Sequence, residues 1–246
     1  MPQRMGLLIA GASQLGISLS DAQLDQFETY FLELTDWNQR ANLTAITGYE
    51  EVQVKHFLDS LTVCLAAREV LAGPPRVPTI RVIDVGAGAG LPGLALKLVF
   101  PDLRLSLVES VAKKTAFLEH LSAKLGLEEV TVHTGRAEVL GREDGLRDGF
   151  DLAVVRGVAK MPLLLEYCLP FCKTGGILVA LKHGGDGREL DSATNALTEL
   201  RGRIERVIPV ELDGLTDDRV VIAVEKTGPT PKRYPRHNGI AAKRPL

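Results

Sequence analysis

The chain has 246 residues, 45% hydrophobic and 24% charged, values ordinary for a globular protein that exclude disordered, collagen-like and disulfide-scaffold architectures. Lys and Arg number 29 against 31 Asp and Glu, a net charge of −2, which as an average gives no sign of a nucleic-acid partner. The distribution says more: after Glu225 there is no acidic residue, and six basic ones (Lys226, Lys232, Arg233, Arg236, Lys243, Arg244) put a cationic tail on a body of net −8.

In chain order, the start carries Arg4 and a short apolar run from Gly6 to Ala10. That run is too brief for a signal peptide and no cleavage site follows it. No window approaches the ~18 apolar residues of a membrane span. Three cysteines, Cys64, Cys168 and Cys172, are too few for a disulfide framework, and the expectation is a cytoplasmic protein that binds no metal. Residues 1–70 read as helical. Ser20 with Gln23 forms a capping-box pattern, and Leu24, Phe27, Phe31, Leu34 and Trp37 follow at helical spacing. That spacing marks the aromatics as core residues rather than base-stacking ones. A second helix over 50–68 puts Val54, Phe57, Leu58, Leu61 and Leu65 on one apolar side, and Gly73-Pro74-Pro75 marks a linker.

From Thr79 the texture changes to short β-branched runs, at 81–85, 104–108, 130–133, 152–155 and 177–181, alternating with helical stretches near 93–100, 112–125, 137–143 and 161–171. Such alternation predicts βαβ units and a parallel sheet with helices on both faces. Cys168 and Cys172, four apart, would share one helix face; no further ligand completes a metal set, so they read as core thiols. Segments 206–212 and 219–225 are joined by a loop too short for a crossover helix, so they should form an antiparallel hairpin. The division expected is a helical extension over 1–72, an α/β domain over 73–226 and a basic tail over 227–246.

The strongest local signal is Val82-Ile83-Asp84-Val85-Gly86-Ala87-Gly88-Ala89-Gly90-Leu91-Pro92-Gly93, a buried strand running through a glycine loop into a helix. In α/β sheets, ligands bind outside the carboxyl ends of the strands. A dinucleotide fingerprint requires glycine three residues after Gly88, where Leu91 stands. Asp84 is unfavourable beside a pyrophosphate and favourable beside a ligand carrying an ammonium and a sulfonium. Glu109, at the end of the second strand, suits a ribose diol. S-adenosylmethionine is therefore the better ligand. Gly135-Arg136-Ala137-Glu138 follows the third strand, where an adenine edge would lie. Arg156 follows the fourth strand and Lys182 the fifth, and charges of one sign on this edge favour a polyanionic substrate.

On these residues the chain resembles the RsmG (GidB) family of small-subunit ribosomal RNA guanine-N7 methyltransferases. The likeness takes in Asn42-Leu43-Thr44-Ala45-Ile46, the block Lys55-His56-Phe57-Leu58-Asp59-Ser60-Leu61 and the glycine loop. It continues through Gly135-Arg136-Ala137-Glu138, Arg156-Gly157-Val158-Ala159 and Lys182 to the tail with Tyr234-Pro235-Arg236 and Gly239. It departs from the family pattern at Leu91, Gly157 and His183. The resemblance implies a class I methyltransferase fold: Rossmann-like, with a mostly parallel seven-stranded sheet, an antiparallel C-terminal hairpin and an N-terminal helical extension. It implies S-adenosylmethionine as donor and N7 of guanine 527 of 16S ribosomal RNA, in the usual numbering, as acceptor. Carried over by position, with the glycine-loop reading, the cofactor contacts are Asp84, Gly86, Gly88, Leu91, Glu109, Ser110, Val111, Ala137, Glu138 and Arg156.

Guanine N7 carries an in-plane lone pair and no proton, so its methylation needs no general base, and no residue is given a chemical catalytic role. His56 and Asp59, three apart on a helix, and Lys182 are the positioning candidates. Lys182, Arg219, Lys232, Arg233 and Arg236 are the expected RNA contacts, with Tyr234 either stacking on a base or docking on the domain. The partner expected is 16S ribosomal RNA or small-subunit particles, engaged by a monomer. The competing readings are a methyltransferase for another RNA or a small molecule, a non-catalytic S-adenosylmethionine-binding module, and a dinucleotide-dependent oxidoreductase.

Overall fold

A computed structural model describes residues 4–71, 79–157, 159–183, 188–237 and 239–246. The Gly73-Pro74-Pro75 linker, Val158 and Gly184 lie outside the described residues. The N-terminal region opens with α1 (Gly6–Gln14), which buries Leu8, Gly11 and Ala12. α2 (Asp21–Ala41) begins at the anticipated box: Ser20 accepts the Gln23 N–H, and the Gln23 side chain accepts the Ser20 N–H. Its inner face buries Leu24, Phe27, Tyr30 and Leu34. Phe27 and Tyr30 pack on Phe57, with ring centroids 5.0 and 5.1 Å away, and Trp37 packs on Phe117. Of the aromatics that the spacing assigns to the core, Phe27 is buried and Phe31 and Trp37 are half-buried against the same apolar layer; Tyr30, outside that reading, is buried with them.

The single helix expected over 50–68 is interrupted. It runs as α3 (Tyr49–Val52), a π-helical segment Gln53–Leu58, α4 (Asp59–Leu61) and, after a turn at 62–63, α5 (Cys64–Leu71). A π turn takes more residues than an α turn, so one 3.6-residue period cannot describe the whole stretch. Through the interruption Gln53, His56 and Asp59 become buried alongside Val54, Phe57 and Leu58.

Seven strands follow: β1 (Arg81–Val85), β2 (Arg104–Glu109), β3 (Val130–Thr134), β4 (Phe150–Arg156), β5 (Cys172–His183), β6 (Gly202–Pro209) and β7 (Arg219–Lys226). They make one sheet in the order β3-β2-β1-β4-β5-β7-β6. Pairing is parallel from β3 to β5, whereas β7 runs antiparallel to both β5 and β6. This is the mostly parallel seven-stranded sheet with an antiparallel C-terminal hairpin that the alternation and the short last loop predict. The helices are α6 (Gly93–Val99), α7 (Ala112–Lys124), α8 (Ala137–Leu140), α9 (Met161–Cys168), α10 (Arg188–Asp191), α11 (Thr194–Leu200) and α12 (Ile240–Lys243).

Successive residues of a strand face opposite sides of the sheet. Val82 accordingly joins the apolar layer of Phe27, Phe57, Leu94 and Phe117, while Ile83 and Val85 join the other, with Leu164, Phe171 and Ala196. The N-terminal helices thus share one apolar layer with β1, α6 and α7. The helix expected over 161–171 ends earlier. Pro170, which has no N–H to continue it, lies in a short 3-10 turn, Leu169–Phe171. Cys168 therefore closes α9 and Cys172 opens β5, so the two do not share a helix face. All three thiols are buried, and burial pushes Cys64 and Cys172 up to about 12. Among the described residues no helix is long and apolar enough to cross a membrane.

Candidate cofactor site

β1 carries Asp84 to the carboxyl edge of the sheet, and the loop beyond it turns back into α6. Gly88 sits at φ 56°, a left-handed conformation that side chains resist. Gly93 is required for space: a β-carbon there would lie 2.8 Å from Asp84 Oδ2 and 2.9 Å from Leu107. The loop is tied to β2, since the N–H groups of Gly86 and Ala87 both donate to the Val108 carbonyl, at 2.8 and 3.0 Å. Tyr30, from α2, donates its hydroxyl to the Ala89 carbonyl at 2.6 Å, so the N-terminal helices hold the loop from outside.

Glu109 closes β2 and is 7% exposed. Its Oε1 accepts the N–H groups of Ser110 and Val111 at 2.7 and 2.9 Å, and Oε2 accepts that of Gly88 at 3.1 Å. The Ser110 hydroxyl also reaches Oε1, at 3.4 Å, whereas among the described residues Oε2 takes only the Gly88 N–H, so one of its two acceptor directions stays available to a ligand hydroxyl. A cavity of about 150 Å³ lies here, walled by Gly86, Glu109, Ser110, Ala137 and Glu138 together with Val85, Val108, Gly135, Arg136 and Tyr167. Glu138 is buried and accepts from Arg136 Nε at 2.7 Å. Burial and the neighbouring Glu138 carboxylate raise the Tyr167 phenol, against the pull of the Arg136 guanidinium. Tyr167 and Arg136 were not among the expected contacts. Arg136 belongs to the Gly135-Arg136-Ala137-Glu138 motif after β3, whereas nothing in the sequence around Tyr167 distinguishes it from a core residue of α9.

The other expected contacts lie off the cavity wall. Asp84 is fully buried beneath the loop; its Oδ2 accepts the Gly93 N–H at 2.8 Å and its Oδ1 has no partner among the described residues. Burial pushes this carboxyl up to about 7, opposed by the Gly93 N–H and Arg156 and reinforced by Glu109. Leu91 packs into the apolar layer, and Val111 is exposed. The orphaned Oδ1, the glycine cradle and the free acceptor direction of Glu109 fit a nucleoside bearing a cationic substituent, which is the chemistry of S-adenosylmethionine.

A second cluster lies at the ends of β4, β5 and β7. Asp59, 4% exposed, joins two arginines: Arg156 Nη1 at 2.9 Å and Arg219 Nη1 at 2.5 Å. Arg219, expected to face RNA, is 6% exposed and also grips Asp217 through Nε and Nη2. His56 and Asp59 do not pair. His56 Nε2 meets Thr44 Oγ1 at 2.7 Å, its Nδ1 lies 3.1 Å from the Lys55 carbonyl, and burial with the Arg156 charge lowers it to about 4. Lys182 meets Glu189 at 2.8 Å and the Ala159 carbonyl at 2.9 Å. In the tail, Arg233 pairs with Glu199 and Arg236 with the buried Glu166. Tyr234 is buried and donates to Glu199 at 3.1 Å, so of its two expected roles the structure shows docking on the domain.

The family model described as rRNA small subunit methyltransferase G (GidB) matches residues 23–212. Ribosomal RNA small subunit methyltransferase G of Dehalococcoides mccartyi strain CBDB1 is 46% identical, over 98% of this chain and all of that one. The protein of the same name from Moorella thermoacetica is also 46% identical, over the full length of both. Among solved structures, a protein from Klebsiella pneumoniae shares the fold at a TM-score of 0.54 and 15% identity, covering 81% of this chain and 90% of that one. A geranyl diphosphate methyltransferase, determined with S-adenosylmethionine, matches at a TM-score of 0.53 and 13% identity over 77% and 95%. The sheet order, the glycine loop with Glu109 and the full-length likeness agree: this chain belongs to the rRNA small subunit methyltransferase G (GidB) family.

Proposed function

We propose that the protein transfers a methyl group from S-adenosylmethionine to N7 of a guanine, guanine 527 in the usual numbering, of 16S ribosomal RNA. The observation that carries this reading is the pocket at the carboxyl ends of β1, β2 and β3, where Gly86, Glu109, Ala137 and Glu138 converge. When bound, the cofactor supplies an electrophilic methyl on a sulfonium. Glu109 would hold the ribose hydroxyls and the Ala137–Glu138 turn the base, while Asp84, beneath the loop, would act on the cationic end through its charge rather than by contact.

An N7 lone pair attacks without losing a proton, so the chain has no proton to remove at the reacting atom. Its task is alignment, and orientation alone supplies a large part of such accelerations. The Asp59, Arg156 and Arg219 cluster, at the ends of β4 and β7, forms the acceptor side of the site. It is preorganised because each arginine is fixed by a buried carboxylate. In this reading the N-terminal helices brace the glycine loop through Tyr30, and the segment after β7 runs past the pocket wall. RNA contact falls on the exposed cations of this edge and of the tail. Lys232 is the expected contact whose side chain meets no acidic group among the described residues. The protein acts as a cytoplasmic monomer.

Incubation with S-adenosylmethionine and either small subunits or free 16S RNA, followed by chain cleavage at 7-methylguanine, tests the reading. Cleavage at one guanine is the expected result. Absence of methylation in both substrates refutes the assignment.

A further inference from the structure

The C-terminal segment after β7 is bound by an unusual device: two arginines that read its backbone. Arg142 donates to the carbonyls of Pro235 at 2.8 Å and Arg233 at 3.0 Å. Arg147 donates to those of Tyr234 at 2.9 Å and Thr230 at 2.8 Å, and also to Gly141 at 3.0 Å. Lys226, wholly buried, starts the segment by donating to the Leu169 carbonyl at 2.7 Å and to Thr230 Oγ1. Arg236 ends it on Glu166, whose side chain is 0% exposed. The Arg236 backbone N–H, Nε and Nη2 all donate to that carboxylate, at 2.7, 2.9 and 2.6 Å.

Two of these anchors, Glu166 and Gly141, lie on elements that wall the cofactor pocket. Glu166 precedes Tyr167 on α9, so Glu166 is turned to the tail while Tyr167 lines the cavity. Gly141 closes α8, the helix whose first residues, Ala137 and Glu138, line the same cavity. Pro235 lies behind Gly141, near enough that a β-carbon there would be 3.4 Å from its ring. A buried carboxylate gripped by a fork of guanidinium donors is a geometrically exacting contact. Here it joins the last stretch of chain to the helix that carries Tyr167.

We propose that segment 227–237 is a strap that sets the adenosine end of the cofactor pocket, with Arg236 a positioning residue acting through Glu166 on Tyr167 and α8. The inference rests on the S-adenosylmethionine reading of that pocket. It gives Arg236 a task on the cofactor side, in place of the RNA contact expected from its charge.

The test compares wild type with Arg236→Ala and with Arg236→Lys, which keeps the charge and loses the fork. Calorimetry with S-adenosylhomocysteine and hydrogen exchange over residues 137–141 are the readouts, with KM for each substrate and kcat alongside. The strap predicts S-adenosylhomocysteine affinity falling about five- to tenfold in Arg236→Ala. It also predicts a matching rise in KM for the methyl donor, faster exchange in α8, and KM for RNA and saturated kcat within about twofold of wild type. Arg236→Lys should fall between the two, and it carries the test if the alanine variant does not fold. Unchanged S-adenosylhomocysteine affinity with weakened, salt-flattened RNA binding overturns the strap and makes Arg236 an RNA contact. Failure of the wild type itself to bind S-adenosylhomocysteine refutes the cofactor reading instead, so the two failures are distinguishable.

Discussion

Asp84→Asn should make the protein more stable at alkaline pH and worse at holding its cofactor. The Asp84 carboxyl is fully buried, with one oxygen on the Gly93 N–H and the other unpartnered, and burial holds it at about 7 against an ordinary 3.8. Within that window the folded chain keeps a proton that the unfolded chain has released. The favourable contribution is therefore complete below the ordinary value and is lost as pH rises toward 7. At ~1.36 kcal/mol per pH unit, the span amounts to a loss of at most ~4 kcal/mol above the window. Asparagine mimics the protonated acid in shape and carries no such pH dependence. Urea midpoints of both proteins at ~pH 4 and ~pH 8 should show the variant gaining ~2–4 kcal/mol on wild type between the two. Calorimetry with S-adenosylhomocysteine near neutral pH should show wild type releasing a proton on binding, because the ligand's ammonium favours the carboxylate. The variant should bind more weakly and release none. A wild-type-to-variant difference that is the same at both pH values, within ~0.5 kcal/mol, refutes the reasoning.

Asp59→Ala leaves Arg156 and Arg219 without their shared carboxylate, and should cost about 3–5 kcal/mol by denaturant melting; a loss under ~1 kcal/mol would mean both arginines find other partners. His56, lowered to about 4 by burial and Arg156, should show no imidazole titration by NMR above ~pH 5.5. Its contribution is complete above the ordinary 6.5, and ~3 kcal/mol is lost as pH falls from there toward 4. A midpoint of titration near 6.5 would contradict the burial argument. Gly93→Ala places a methyl 2.8 Å from Asp84 Oδ2 and should lower stability by about 1–3 kcal/mol; an unaltered melting temperature would show that Asp84 moves aside freely.

Much of the fold was legible because its signals are local. The Ser20 capping box, the strand–helix alternation from Thr79 and the short last loop each follow from neighbouring residues, and each corresponds to an element of the structure. The π turn at Gln53–Leu58 was not legible, since its period differs from the helices on either side. Nor was the end of α9, where Pro170 could equally have closed a helix one turn later. Of the residues that line the pocket, Gly86 and Glu109 announce themselves by chemistry at strand ends. Tyr167 does not, because a tyrosine on an apolar helix face looks the same whether it fills a core or walls a cavity.

Charge divides the two levels most sharply. The sequence alone determines that an acidic body of −8 bears a tail of +6, and that Asp84 and Glu109 stand at the ends of adjacent strands. Tertiary structure decides which of those charges are still available to a ligand. Asp59 lies 97 residues from Arg156 and is closed upon it; Arg236 lies 70 residues from Glu166 and is locked to it; Asp84 is under the loop rather than in the pocket. Partners so far apart are brought together by the packing of the sheet and its helices, and no local pattern records which pairs will meet. The sequence counts the charges, and burial with pairing determines what each one does.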